Sequence, residues 1–158
     1  MTVIRIVALS GSLRAASTNT ALLRAVAASA PVGVSVEIVP LDDIPLFNPD
    51  LDDRLPGVVV DFRARVGEAD GLIIASPEYA HGVSGVLKNA LDWLVGSESF
   101  AGKPVQILNA APRAFHGVAS LREILATMSA RLVDDRPLAG PGYRPAVIDL
   151  LADEHGSA

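Results

Sequence analysis

Four short apolar runs constrain this chain most, because segments with helical periodicity separate them. Residues 4–9 read IRIVAL, 34–39 VSVEIV, 71–75 GLIIA and 105–109 VQILN. Runs such as 4–9 and 71–75, apolar nearly throughout and rich in β-branched side chains, suit strands covered on both faces. Between the first two, 20–30 reads TALLRAVAASA, with Leu22, Leu23, Val26 and Ala27 on one helical face. Pro31 and Gly33 then end the helix. Val59, Phe62 and Val66 recur at helical spacing within 58–69, and Leu87, Leu91 and Leu94 within 85–95. A further helix is predicted over 116–130, a short fifth strand around 132–133, and a last short helix over 145–152 after the Gly/Pro-rich stretch 137–143. Strict alternation of strand and helix implies an α/β three-layer sandwich, a five-stranded parallel sheet with helices on both faces. Right-handed crossovers leave few strand orders, and 2-1-3-4-5, a common order for a doubly wound sheet, is the one expected. No repeat or linker is visible, so residues 1–158 read as a single domain.

One long segment breaks the pattern. Residues 41–57 hold three prolines and five aspartates, Asp42, Asp43, Asp50, Asp52 and Asp53, among short apolar pairs. This reads as a loop, either functional or mobile. The aspartates lack the spacing of a calcium loop and suit a solvated surface.

Composition narrows the chemistry. Half of the 158 residues are hydrophobic, enough for a sizeable core. The formal net charge is −5 and no Lys/Arg run occurs, which argues against nucleic acid as a partner. There is no cysteine, so disulfides, thiolate metal sites, cysteine nucleophiles and thiol redox centres are all excluded. Redox chemistry would need a bound cofactor. The opening Met1-Thr2-Val3-Ile4-Arg5 does not resemble a signal peptide. No apolar run approaches the ~20 residues that span a bilayer. A cytoplasmic protein without a membrane partner is expected.

The first strand runs into Ser10-Gly11-Ser12-Leu13-Arg14-Ala15-Ala16-Ser17-Thr18-Asn19-Thr20. A helix N-terminus offers free N–H groups and a partial positive charge to an anion. Ser12, Ser17, Asn19 and Thr20 can donate to phosphate oxygens, and Arg14 can add a charge-assisted bond. Gly11 lets the backbone approach closely. No Gly-Lys-Ser/Thr follows, so this is not a P-loop, and two glycines of the dinucleotide fingerprint are missing. Ordinary capping by Ser17, Thr18 or Asn19 remains the bland alternative.

The third strand runs into Ser76-Pro77-Glu78-Tyr79-Ala80-His81-Gly82-Val83-Ser84-Gly85. Pro77 stiffens the exit, Tyr79 offers a flat apolar surface with a hydroxyl, and the glycines leave room for a ligand. A plain β–α turn is the alternative. In a 2-1-3-4-5 sheet, strands one and three flank the switch point where ligands bind, and these two loops meet there.

At this point a resemblance is visible. GSLRAASTNTALL and SPEYAHGVSGVLKNALDW resemble the signature motifs of the NADPH-dependent FMN reductase family, which includes azo-dye, quinone and chromate reductases. The match spans roughly residues 3–132. It implies a flavodoxin-like fold, bound FMN, NADPH or NADH as electron donor, a small-molecule electron acceptor, and a homodimer or tetramer packed through the helix holding Lys88 to Trp93. Carried over, the FMN phosphate falls to Ser12, Arg14, Ser17, Asn19 and Thr20. The isoalloxazine falls to Pro77, Glu78, Tyr79, Ala80 and His81, with Asn109, Ala110 and Ala111 along its border. The chain departs from the pattern in three places. Ala80 stands where many members have Asn. Ala110-Ala111-Pro112-Arg113-Ala114-Phe115 replaces a Gly-rich stretch, and little length remains for a full final helix.

The flavin would carry the chemistry, so no catalytic side chain and no metal are required. The implied reaction is ping-pong hydride transfer, with Arg113 a candidate for the nicotinamide cofactor's phosphates. His81 is a speculative acid–base group, and more commonly such a histidine is a loop residue. His116 suits a place on its helix and His155 the tail. Asp92 and Glu78 read as isolated carboxylates, and Trp93 as a core or interface residue. No Gly-x-Ser-x-Gly elbow supports a hydrolase. An FMN-binding electron carrier and a flavin-less interaction protein of the same fold stay as alternatives.

Overall fold

The computed structural model describes residues 3–111, 113–134 and 143–156. Five parallel strands form the main sheet: β1 (Ile4–Ser10), β2 (Val34–Val39), β3 (Gly71–Ala75), β6 (Pro104–Ile107) and β7 (Arg131–Leu132). Their order is β2-β1-β3-β6-β7, the 2-1-3-4-5 order expected when only sheet strands are counted. β3 is buried at every residue, because helices cover both faces.

Alternating side chains divide the core in two. Val7, Leu9, Leu72, Ile74, Val105 and Ile107 face α2 (Gly57–Glu68), α3 (Gly85–Val95) and α4 (Phe115–Thr127). Ile4, Ile6, Ala8, Ile73 and Leu108 face α1 (Thr18–Ala28) and α5 (Ala146–Gly156). The predicted positions Val59, Phe62, Val66, Leu87, Leu91 and Leu94 are all buried.

Three elements differ from the sequence reading. Residues 41–57 are not simply irregular: they contain a 3-10 helix over Pro49–Arg54, and Leu41 and Ile44 are buried. The segment is pinned to α3. Asn89 Oδ1 accepts from Phe47 N–H at 2.8 Å, and Asn89 Nδ2 and Trp93 Nε1 both donate to the Pro45 carbonyl, at 2.9 and 2.7 Å. Trp93 itself is fully buried in the chain's own core. Second, the last helix runs past the predicted 145–152, over Ala146–Gly156. α5 runs three turns and buries Val147, Ile148 and Leu151, and Gln106 Oε1, fully buried on β6, accepts from Val147 N–H at 2.9 Å. Third, the loop after β3 holds a small hairpin, β4 (Glu78–Tyr79) and β5 (Gly82–Val83). Of the predicted Gly/Pro stretch, only Tyr143 lies within the described residues.

Candidate functional site

Register brings three loops to one edge at one level. Ser10 pairs with Ala75, Leu9 with Val39, and Ile74 with Ile107. The segments after β1, β3 and β6 therefore leave side by side. α1 lies on one face and α3 on the other, so β1 and β3 flank the point where the strand order reverses. The two loops touch. Gly11 N–H donates to the Ala75 carbonyl at 2.8 Å, and a methyl group on Gly11 would lie 2.5 Å from Ser76 Oγ and 2.8 Å from Ser84 Oγ.

In the first loop Ser17 is the N-cap of α1, its Oγ accepting from Thr20 N–H at 3.1 Å. The Ser10 and Thr20 hydroxyls are 2.7 Å apart. Ser12 N–H donates to Ser10 Oγ, and Arg14 N–H to Ser12 Oγ, both at 3.3 Å. Capping accounts for Ser17 but not for two other features. Asn19 is only 8% exposed, and its Oδ1 has no partner, alone among the buried side-chain oxygens and nitrogens of the described residues. An orphaned buried acceptor costs about 1–3 kcal/mol and calls for a donor. Arg14 is exposed and, among the described residues, forms no ion pair. Beside it lies an open cleft of about 490 Å³ lined by Ser12, Arg14, Thr20, Arg24, Leu41 and Asp42. Arg24 was missed in the sequence, although its place four residues after Thr20 puts both on one face of α1.

The third loop places Pro77 and Glu78 half-buried, with Tyr79 58% exposed. Ala80 and His81 form the two-residue turn of the hairpin, with φ of 49° and 61°. Glu78 is not isolated: its Oε2 accepts from Gly117 N–H in the first turn of α4 at 2.6 Å. His81 stacks on His116 with ring centroids 4.1 Å apart and 23° between planes, and Phe115 packs on His116 at 4.1 Å. The two rings thus join the hairpin turn to the first turn of α4. In the third segment Asn109 Oδ1 accepts from Ala111 N–H at 3.0 Å, so this side chain closes its own turn. Ala110 is half-buried, Ala111 and Arg113 are exposed, and Pro112 lies outside the described residues.

Elsewhere, Asp92 pairs with Lys88 at 2.6 Å and Asp52 with Arg63 at 3.0 Å. His155 Nδ1 sits 2.8 Å from the Leu151 carbonyl on α5. Among the described residues no cluster of three metal-ligating side chains occurs, and no helix is long and apolar enough to cross a membrane.

Fold and site together define an α/β protein of flavodoxin topology, with a hydroxyl-rich loop and a small hairpin side by side at its switch point. The chain belongs to the NADPH-dependent FMN reductase family, whose model matches residues 4–142. It is 40% identical over 115 residues to an NAD(P)H-dependent FMN reductase of Pseudomonas aeruginosa, covering 71% of this chain and 62% of that one. It is 34% identical over 145 residues to a quinone reductase of Escherichia coli, covering 87% and 77%. The structure of FerB, a flavoenzyme NAD(P)H:(acceptor) oxidoreductase from Paracoccus denitrificans, superposes with a TM-score of 0.78 at 26% identity, covering 90% of this chain and 81% of that one. The chain spans about half to three fifths of the length of the curated relatives that it matches at 40% identity or more.

Proposed function

We propose that this chain holds FMN in the crevice between β1 and β3 and passes hydride equivalents from NADPH or NADH to a small-molecule acceptor of the quinone, azo or metal type. The observation that carries the reading is the contact between the two richest loops, fixed by the Gly11–Ala75 hydrogen bond, on a first loop that also holds the orphaned Asn19 Oδ1.

The residues fit the group. Hydroxyls of Ser12 and Thr20, the N-terminal amides of α1 and Arg14, which forms no ion pair among the described residues, suit a phosphate dianion. Asn19 Oδ1 needs a donor, which a sugar-alcohol hydroxyl provides. Tyr79, the backbone of 77–81 and the segment 109–111 would border the ring. FMN bound there supplies a group that accepts hydride and passes electrons on, so the chain's own part is binding, orientation and electrostatics. One open crevice would receive the nicotinamide cofactor and, after its departure, the acceptor, which makes the order ping-pong. Arg113, exposed beside α4, would meet the nicotinamide cofactor's phosphates. A homodimer or tetramer built on the outer face of α3 belongs to the same reading.

The test is a titration of purified protein with FMN and with riboflavin, followed by steady-state NADPH oxidation with a quinone. Arg14→Ala should weaken FMN by about tenfold or more, as expected for a lost charged hydrogen bond, and leave riboflavin nearly unchanged. Equal weakening of both ligands would remove the phosphate assignment. FMN binding without NADPH oxidation would reassign the chain as an electron carrier. An unchanged rate in Arg113→Ala would remove that residue's role.

A further inference from the structure

Glu78 bonds the hairpin after β3 to the start of α4. α4 begins after Ala114, which supplies no side-chain cap, so its first amides lack a local acceptor. Glu78 Oε2 fills that place from the hairpin, accepting from Gly117 N–H at 2.6 Å. Gly117 keeps this approach close: a methyl group there would lie 3.1 Å from Glu78 Cβ and 3.3 Å from the Gly82 carbonyl, a tight fit. The stacked rings of His81 and His116 join the same two segments a few residues away. Hairpin and helix end are thus held in one arrangement.

The bond also sets a charge. A helix N-terminus carries about half a positive charge, which would favour added electrons nearby. The Glu78 carboxylate brings a full negative charge onto that end and reverses its sign. A hydride carries two electrons and one proton, so its arrival leaves the acceptor ring one unit more negative. A fixed carboxylate at the ring's border opposes that gain.

We propose that Glu78 is a positioning residue of the flavin site: it holds the hairpin against α4 through Gly117 N–H, and its charge lowers the reduction potential of FMN bound there. This rests on the FMN reading above. The effect would favour onward electron transfer to the acceptor.

The experiment compares wild type, Glu78→Gln and Glu78→Ala by FMN titration, by potential measured against reference dyes, and by thermal unfolding. Glu78→Gln keeps an oxygen for Gly117 N–H but removes the charge. It should hold oxidised FMN nearly as well as wild type and favour reduced over oxidised FMN by about tenfold, a rise of about 30 mV for a two-electron couple. Glu78→Ala should weaken oxidised FMN by about tenfold, as expected for one lost charged hydrogen bond. An unchanged potential in Glu78→Gln overturns the charge claim, and that variant alone decides it if Glu78→Ala does not fold. Unchanged FMN affinity in a folded Glu78→Ala overturns the positioning claim. Wild type without FMN affinity overturns the flavin reading itself, and this proposal with it.

Discussion

Ala80 and His81 occupy the left-handed region, with φ of 49° and 61°, and neither is glycine. A two-residue hairpin turn of this kind demands positive φ at both central residues, and Asn tolerates it better than Ala. The turn thus gives a conformational reason to prefer Asn at position 80, beside any flavin contact. Ala80→Asn should therefore raise unfolding stability by about 1 kcal/mol, read by urea unfolding, whereas Ala80→Val should lower it. A stabilised Val variant would show that the turn is not held as described. The residue types of the site were readable in the sequence, because hydroxyls, an amide and an arginine before a helix name their own chemistry. Their partners were not. Glu78 read as isolated because the amide it caps lies 39 residues later. Asp92, by contrast, lies four residues after Lys88 on the helix expected over 85–95, so its ion pair was legible and was overlooked.

Elements follow the same division. Strands and helices with three or more buried positions announced themselves by period, as in 71–75 and 85–95, both found within those bounds. The hairpin did not, since strands of two residues carry no period. The segment 41–48 did not, since its order comes from Asn89 and Trp93 on a distant helix. Asn89→Ala leaves Phe47 N–H without its partner and should cost about 1–3 kcal/mol, with faster proteolysis between residues 42 and 48. Unchanged cleavage there would separate the loop's order from this side chain. The end of α2 carries a pH dependence. Lys103 Nζ donates to the Gly67 and Ala69 carbonyls, and burial lowers its pKa below the usual 10.5 against the opposing pull of Asp70. Between that lowered value and 10.5 the unfolded chain binds more protons than the folded one, so stability from this group rises with pH across the window. The stability of wild type relative to Lys103→Met should increase as urea unfolding is repeated from neutral pH upward. A decrease would contradict the sign.

At the scale of the molecule, the site exists because topology sends α1 and α3 to opposite faces while β1 and β3 stay neighbours. Strand order alone leaves a crevice at that edge, but its width depends on how closely the two loops approach, and one residue governs that distance. Gly11 sits where its backbone meets Ala75 and where any side chain would enter Ser76 and Ser84. Ser84 is also the N-cap of α3, its Oγ accepting from Leu87 N–H at 3.4 Å, so pressure on it reaches the helix as well as the loop. Gly11→Ala is therefore a test of the whole arrangement. It should cost about 1–3 kcal/mol through overpacking, and it should weaken FMN along with stability, because the cradle and the hairpin move apart. Ser76→Gly removes the nearest atoms that the new methyl would strike. Combined with Gly11→Ala it should restore part of both losses, with a coupling energy above about 0.5 kcal/mol. If the two changes simply add, the loops do not press on one another at Gly11. The crevice width would then be set elsewhere, and the contact on which the FMN reading stands would lose its structural meaning.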